Sequence, residues 1–217
     1  MAHLSGVPKL KPEVPSNRMN NSLNENLESI LALEITEARK AVLQPLIEYI
    51  KSKREKEQPI LLNFICTHNS RRSQFAQIWA QTAADYFQLA AQCYSGGVEV
   101  TACNERTIAS LQRMGFIVSK HGHSNPIYFV LHTEDSRPIN IFSKLYDDVI
   151  NPHRNFATVM TCSHADENCP FIPGADVRIP VRYEDPKAFD DTDQEAEMYD
   201  ARSRQIASEM FFVFSRV

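Results

Sequence analysis

A thiol and a guanidinium stand six positions apart in the segment Cys66-Thr67-His68-Asn69-Ser70-Arg71-Arg72-Ser73, directly after the apolar run 60–65. In a tight turn from a buried strand into a helix, successive backbone N–H groups face inward as an anion nest, and the helix N-terminus adds partial positive charge. A tetrahedral oxyanion fits such a cradle. The same field favours the thiolate of Cys66 as a nucleophile aimed at the bound anion. The planar fork of Arg72 suits two equatorial oxygens and the charge that develops in a pentavalent transition state. Ser73 is placed to hydrogen-bond the sulfur, and Asn69 to steady the loop through its tolerance of left-handed geometry. The expected catalytic pair is therefore Cys66 and Arg72. The expected anion-binding set is Thr67, His68, Asn69, Ser70, Arg71, Arg72 and Ser73. A Cys-x5-Arg spacing arises by chance in many chains, and the strand before it and helix after it are what give this one weight.

Two further sulfurs follow a second buried run, in Cys162-Ser163-His164-Ala165-Asp166-Glu167-Asn168-Cys169-Pro170. If that segment is helical, seven steps of about 1.5 Å separate the two Cα atoms by about 10.5 Å, beyond the roughly 7 Å that a disulfide spans, so a bridge demands unwinding. A zinc site through Cys162, His164 and Cys169 and a pair of plain structural thiols are the competing readings, and the zinc set lacks a fourth ligand nearby. Cys93 and Cys103 have no comparable setting and read as buried or incidental. An acid comes last. Asp185, its backbone restricted by Pro186, follows a short strand at 177–181 and is a candidate to protonate a leaving oxygen and later activate water. An Asp-Pro turn without chemical duty is the alternative.

The elements that must position these residues are readable in outline. The near-continuous apolar run 60–65 is the pattern of a strand covered on both faces, and residues 73–87 carry apolar side chains at helical spacing. A short strand at 93–95, a helix at 104–114, a strand at 157–162 and a closing helix at 194–214 continue the alternation. That alternation predicts an α/β fold, a three-layer doubly wound parallel sheet with helices on both faces, and places the loops that bear Cys66, Cys162 and Asp185 at the carboxyl edge of the strands. Within it, 124–150 reads as an insert holding a hairpin of 127–131 and 139–146. Ahead of the domain at 59–217, residues 22–58 read as a helical extension, opened by a capping box of Ser22 and Glu25, with Pro45 marking a kink or a new first turn. Residues 1–21 read as a disordered leader.

Composition narrows the classes further. The chain has 217 residues, with 23 Lys and Arg against 27 Asp and Glu for a net charge of −4, so it lacks the basic footprint of a nucleic-acid binder. No apolar run approaches the roughly 18–20 residues of a membrane span. Five cysteines are too few and too scattered for an extracellular disulfide framework, and a reducing cytoplasm is the expected setting. No cofactor and no metal is required by the residues described.

Taken together and in this order, Cys66, Arg72, Ser73, the Cys162–Cys169 segment and Asp185-Pro186 resemble the low-molecular-weight protein tyrosine phosphatase superfamily, and most closely its thioredoxin-coupled arsenate reductase branch. The resemblance spans about 60–217. Both branches share the Cys-x5-Arg-Ser loop and the late Asp-Pro acid; the reductase branch adds the C-x-x-A-D-x-x-C-P segment that Cys162, Ala165, Asp166, Cys169 and Pro170 reproduce. It implies reduction of arsenate to arsenite through Cys66 and a Cys66, Cys162, Cys169 disulfide relay, with a thioredoxin-like protein as reductant. A phosphomonoesterase working through a phosphocysteine is the alternative. The chain departs from the pattern in having Lys187-Ala188-Phe189 where the phosphatases carry paired tyrosines, Gln77 where the reductases use a glutamate to hold potassium, and Arg71 inside the loop.

Overall fold

The computed structural model describes residues 19–168 and 171–217. Its centre is a parallel sheet of β1 (Ile60–Cys66), β2 (Ala91–Gly97), β6 (Phe156–Met160) and β7 (Ala175–Pro180), in the order β2-β1-β6-β7. Alternation along β1 explains its unbroken apolar run. Leu62 and Phe64 join Ala157, Val159 and Ile179 in one core, while Leu61 and Ile65 meet Phe156 and Met160 on the other face. Each fully buried side chain of this size contributes roughly 1.5–3 kcal/mol. Asn63, the polar interruption, is buried and donates to the carbonyl of Tyr146 at 2.9 Å.

On the first face lie α2 (Glu37–Glu55), α3 (Arg72–Tyr86) and α6 (Glu195–Ser215). The second face is covered by the short α5 (Ser163–Asn168), through Ala165, with Tyr146 and Ile172 beside it. The expected α/β class with helices on both faces is what the molecule has, with the helical cover much thinner on one side. Among the described residues no helix is long and apolar enough to cross a membrane.

Two expectations at the N-terminal end need correction. First, α1 (Asn21–Leu31) is capped by Asn20, whose Oδ1 accepts from the amide of Leu23 at 2.9 Å, and not by the Ser22 and Glu25 pair. Asn20 also donates to the carbonyl of Gly115 at 2.8 Å, and Met19 is buried, so the packed chain begins inside the span read as leader. The rest of that leader, 1–18, lies outside the described residues. Second, α2 continues through Pro45, so this proline does not begin a new helix. Leu23, Leu27 and Ile30 of α1 and Leu43, Leu46, Ile47 and Ile50 of α2 belong to the same core as α3 and α6. A bidentate pair reinforces this: Arg39 meets the buried carboxylate of Glu209 at 2.8 Å through both Nε and Nη2.

Between β2 and β6 come α4 (Glu105–Arg113), capped by Asn104, and a small antiparallel sheet of β3 (Ile117–His121), β4 (Ile127–Leu131) and β5 (Ile139–Ile141). The expected hairpin is its β4–β5 half, but the second arm ends at Ile141 rather than at 146. Beyond it the backbone turns to other partners: the carbonyl of Phe142 accepts from Gln74, and the amide of Lys144 donates to Asn69 Oδ1. The strand β3 escaped the sequence reading because it is exposed along most of its length and carries Ser119, Lys120 and His121 in place of alternation.

Candidate active site

The loop from β1 into α3 is held by its carbonyls. That of Thr67 accepts from the amides of Val98 and Glu99, at 2.9 Å each. That of His68 accepts from Ser143 Oγ at 2.8 Å, that of Asn69 from Gln74 at 2.7 Å, and that of Ser70 from the amide of Asn104 at 3.0 Å. In a trans peptide the N–H points opposite to the C=O. Anchoring four successive carbonyls on the surrounding protein therefore turns the amides of His68, Asn69, Ser70 and Arg71 away from those anchors and into the loop, which is the geometry of an anion nest. Asn69 has φ 47°, the left-handed conformation this wrapping needs.

Gly97, at the end of β2, allows the loop to sit where it does. A Cβ on it would lie 2.7 Å from both the amide nitrogen of Asn69 and the carbonyl oxygen of Thr67, closer than real contacts permit. Gly97→Ala is expected to push the loop outward, costing about 1–3 kcal/mol of stability and weakening phosphate binding; thermal melting and a phosphate titration check it, and unchanged affinity would show that the loop does not depend on this contact.

Side chains of the loop divide into two groups. Cys66 Sγ lies 3.0 Å from Ser73 Oγ, and Asn69 donates to that same oxygen at 2.9 Å. With Asn69 as its donor, the Ser73 hydroxyl has its own proton to give to the sulfur. Arg72 donates from Nη2 to Asp185 Oδ2 at 2.7 Å and from Nη1 to the carbonyl of Tyr183 at 3.1 Å, while its buried Nε has no partner among the described residues. The other side chains turn outward. Ser70 donates to Ala102, His68 meets Glu99 at 3.2 Å, and Arg71 donates from Nε to Tyr199 at 2.8 Å. The side chains of these three residues are thus engaged by the surrounding protein, and what they turn toward the loop is backbone.

Asp185 caps a 3-10 turn, Pro186–Phe189, by accepting from the amide of Lys187, and this turn with the Arg72 contact sets its position beside the loop. Cys162 arrives from the end of β6. Its Sγ is 3.5 Å from Thr67 Oγ1 and accepts from the amide of Ala165 at 3.4 Å, and Thr67 Oγ1 is also 3.3 Å from His164 Nδ1. Asp166, in the same helix, accepts from Arg178 Nε at 3.0 Å and Arg182 Nε at 2.9 Å. Burial alone would raise its pKa, but those two guanidinium groups hold it below the usual carboxylate value. Cys169 and Pro170 lie outside the described residues, and with them the completed Cys162, His164, Cys169 zinc set. Cys93 and Cys103 are buried, and burial pushes both thiols up.

Gly97, Tyr183, Asp190 and Tyr199 were not picked out from the sequence. Only Gly97 left a signal there: a Gly-Gly pair closing a strand marks a close backbone approach.

No family model matches the chain. It is 30% identical over 124 residues to a protein of Staphylococcus epidermidis named arsenate reductase 2, covering 57% of this chain and 76% of that one. It is 33% identical over 111 residues to an arsenate reductase of Staphylococcus aureus, covering 51% and 66%. Among solved structures it is similar to a low-molecular-weight phosphotyrosine phosphatase of Vibrio cholerae, with TM-score 0.47, 14% identity and coverage of 72% and 94%. It is also similar to an arsenate reductase of Archaeoglobus fulgidus, with TM-score 0.46, 16% identity and coverage of 71% and 98%. On the strength of the Staphylococcus epidermidis relative, matched at 30% identity over about three quarters of its length, the chain is an enzyme of the arsenate reductase family.

Proposed function

We propose that the protein reduces arsenate to arsenite, with Cys66 as nucleophile and Cys162 and Cys169 as the source of the second sulfur and the resolving thiol. The observation that carries this reading is the second thiol on the rim of the anion loop, Cys162 Sγ, 3.5 Å from Thr67 Oγ1. Arsenate enters the nest of amides and meets the unpartnered Nε of Arg72. The arriving anion competes with Asp185 for the guanidinium, and the released carboxyl takes up a proton. The Cys66 thiolate forms a bond to arsenic, and the displaced oxygen leaves as water with the proton from Asp185. The Cys162 thiolate then attacks Cys66 sulfur. The sulfur–arsenic bond breaks with its electron pair on arsenic, so As(V) becomes As(III), arsenite departs, and two thiols have become a Cys66–Cys162 disulfide. Attack by Cys169 on Cys162 frees the Cys66 thiolate and leaves a Cys162–Cys169 disulfide, which a thioredoxin-like dithiol reduces by exchange.

The test is a side-by-side assay of arsenate reduction with thioredoxin and its reductase, and of aryl phosphate hydrolysis. Reductase turnover supports the reading; phosphate hydrolysis with no arsenite formed under any dithiol overturns it. A phosphomonoesterase remains the second reading, favoured by the placement of Asp185 on Arg72, where an acid can serve an ester oxygen. For that half-reaction, Asp185→Asn is expected to slow hydrolysis about 10²-fold or more with poor leaving groups and little with good ones, because only the former need protonation. An equal loss across a series of aryl phosphates would move the acid role to another group.

A further inference from the structure

Asp185 and Asp190 stand at the two ends of one 3-10 turn, the first as its N-cap and the second as its C-cap. The Asp185 end reaches the anion loop through Arg72. The Asp190 end is tied down separately. Tyr199 of α6, its ring wholly buried, donates its hydroxyl to Asp190 Oδ1 at 2.7 Å and accepts from Arg71 Nε at 2.8 Å. Arg71 Nη2 is itself 3.5 Å from Asp190 Oδ2, and its Nε is 4.0 Å from Asp185 Oδ1. Next in the chain, Asp191 holds a left-handed φ of 62°, donates its amide to Glu195 at 2.7 Å and accepts from Arg106 of α4 at 2.6 Å. Burial pushes the Tyr199 phenol up, so its hydroxyl keeps the proton it gives to Asp190.

We propose that Tyr199 is a positioning residue for the acid: by bridging Arg71 of the anion loop to Asp190, it locks the turn that carries Asp185 onto the loop that carries Cys66. This deepens the reading of Asp185 as general acid and rests on it. The physical gain is preorganisation. A short exposed turn spans many conformations, and only those that hold the carboxyl against the leaving oxygen are productive. The bridge also explains the arginine that fills the loop position before Arg72. Its side chain is used on the acid's turn and not on the anion.

Tyr199→Phe removes one oxygen and keeps the ring, so the core stays filled. In hydrolysis of a series of aryl phosphates, kcat for the poorest leaving group is expected to fall about tenfold while kcat for the best one and KM for both stay within about twofold. Hydrogen exchange is expected to quicken in 184–192 and not elsewhere. In an Asp185→Asn background the same change is expected to have no further effect, because the acid it positions is gone. Asp190→Asn, which keeps the shape and weakens the acceptor, is expected to show the same pattern to a smaller degree. An equal loss for every leaving group, or a tenfold loss that persists in the Asp185→Asn background, overturns the proposal. If Asp185→Asn alone shows no leaving-group dependence, the acid reading falls and this one with it. If it does and Tyr199→Phe does not, only the positioning role is refuted.

Discussion

Replacing Cys66 by serine is expected to abolish both arsenate reduction and phosphate ester hydrolysis, by a factor on the order of 10⁴ or more, in a protein that melts normally. The argument is chemical and local. A hydroxyl at that position cannot ionise near neutral pH as a thiol can, and it cannot form the sulfur–sulfur bond by which electrons leave. The fold does not require the thiol. The Sγ makes its polar contact with Ser73, which a serine hydroxyl can also satisfy, so the cradle of carbonyl anchors stays in place. Phosphate or arsenate affinity, measured by titration, is therefore expected to survive within a few-fold. Residual turnover near the wild-type rate in a folded Cys66→Ser protein would remove Cys66 from the chemistry.

The second large effect separates the two later thiols from each other and from the first. Cys162→Ser is expected to release no arsenite with thioredoxin, since nothing then attacks Cys66 sulfur to expel arsenic. Cys169→Ser is expected to release about one equivalent per protein and stop, trapped as the Cys66–Cys162 disulfide. Both variants are expected to hydrolyse aryl phosphates at rates within a few-fold of wild type, because that reaction calls only on Cys66, Arg72 and Asp185. Quenched-flow measurement of arsenite in the first turnover distinguishes none from one. Peptide mapping of oxidised wild type is expected to find Cys162 joined to Cys169, with faster hydrogen exchange across 163–168. Residues 163–168 form helix in this structure, and seven steps of helix span about 10.5 Å, more than the roughly 7 Å a disulfide bridges, so the bond calls for that helix to unwind. Steady turnover by both serine variants would refute the relay.

Much of this site was legible in the sequence because its parts are local. The strand, the loop and the helix that hold Cys66, Asn69, Arg72 and Ser73 lie within 60–86, and a buried strand followed at once by Cys-x5-Arg-Ser is a single continuous signal. Asp185 was marked by Pro186, and Cys162 by the strand before it. What could not be read is what depends on distant partners. Tyr199 lies 128 positions from Arg71, and nothing about a tyrosine within a helix says which guanidinium it will meet. The turned-out side chains of His68, Ser70 and Arg71 follow from Glu99, Ala102 and Tyr199, none of them a neighbour in sequence. In the fold, β3 was missed because its stability comes from pairing with β4 along its whole length and not from a buried face of its own.

The bidentate contact of Arg39 with Glu209 joins residues 170 positions apart, and the apolar faces of α1 and α2 close on the same last helix. During synthesis those two helices are made before α6, and the parts of their faces that pack on it have no partner there until it is made. Native contacts of such long sequence separation slow folding, and apolar surface left open in the interval invites association with other chains. The packing of α1 and α2 is thus tied to α6, and a nascent chain that has not yet made α6 leaves the faces they turn toward it open.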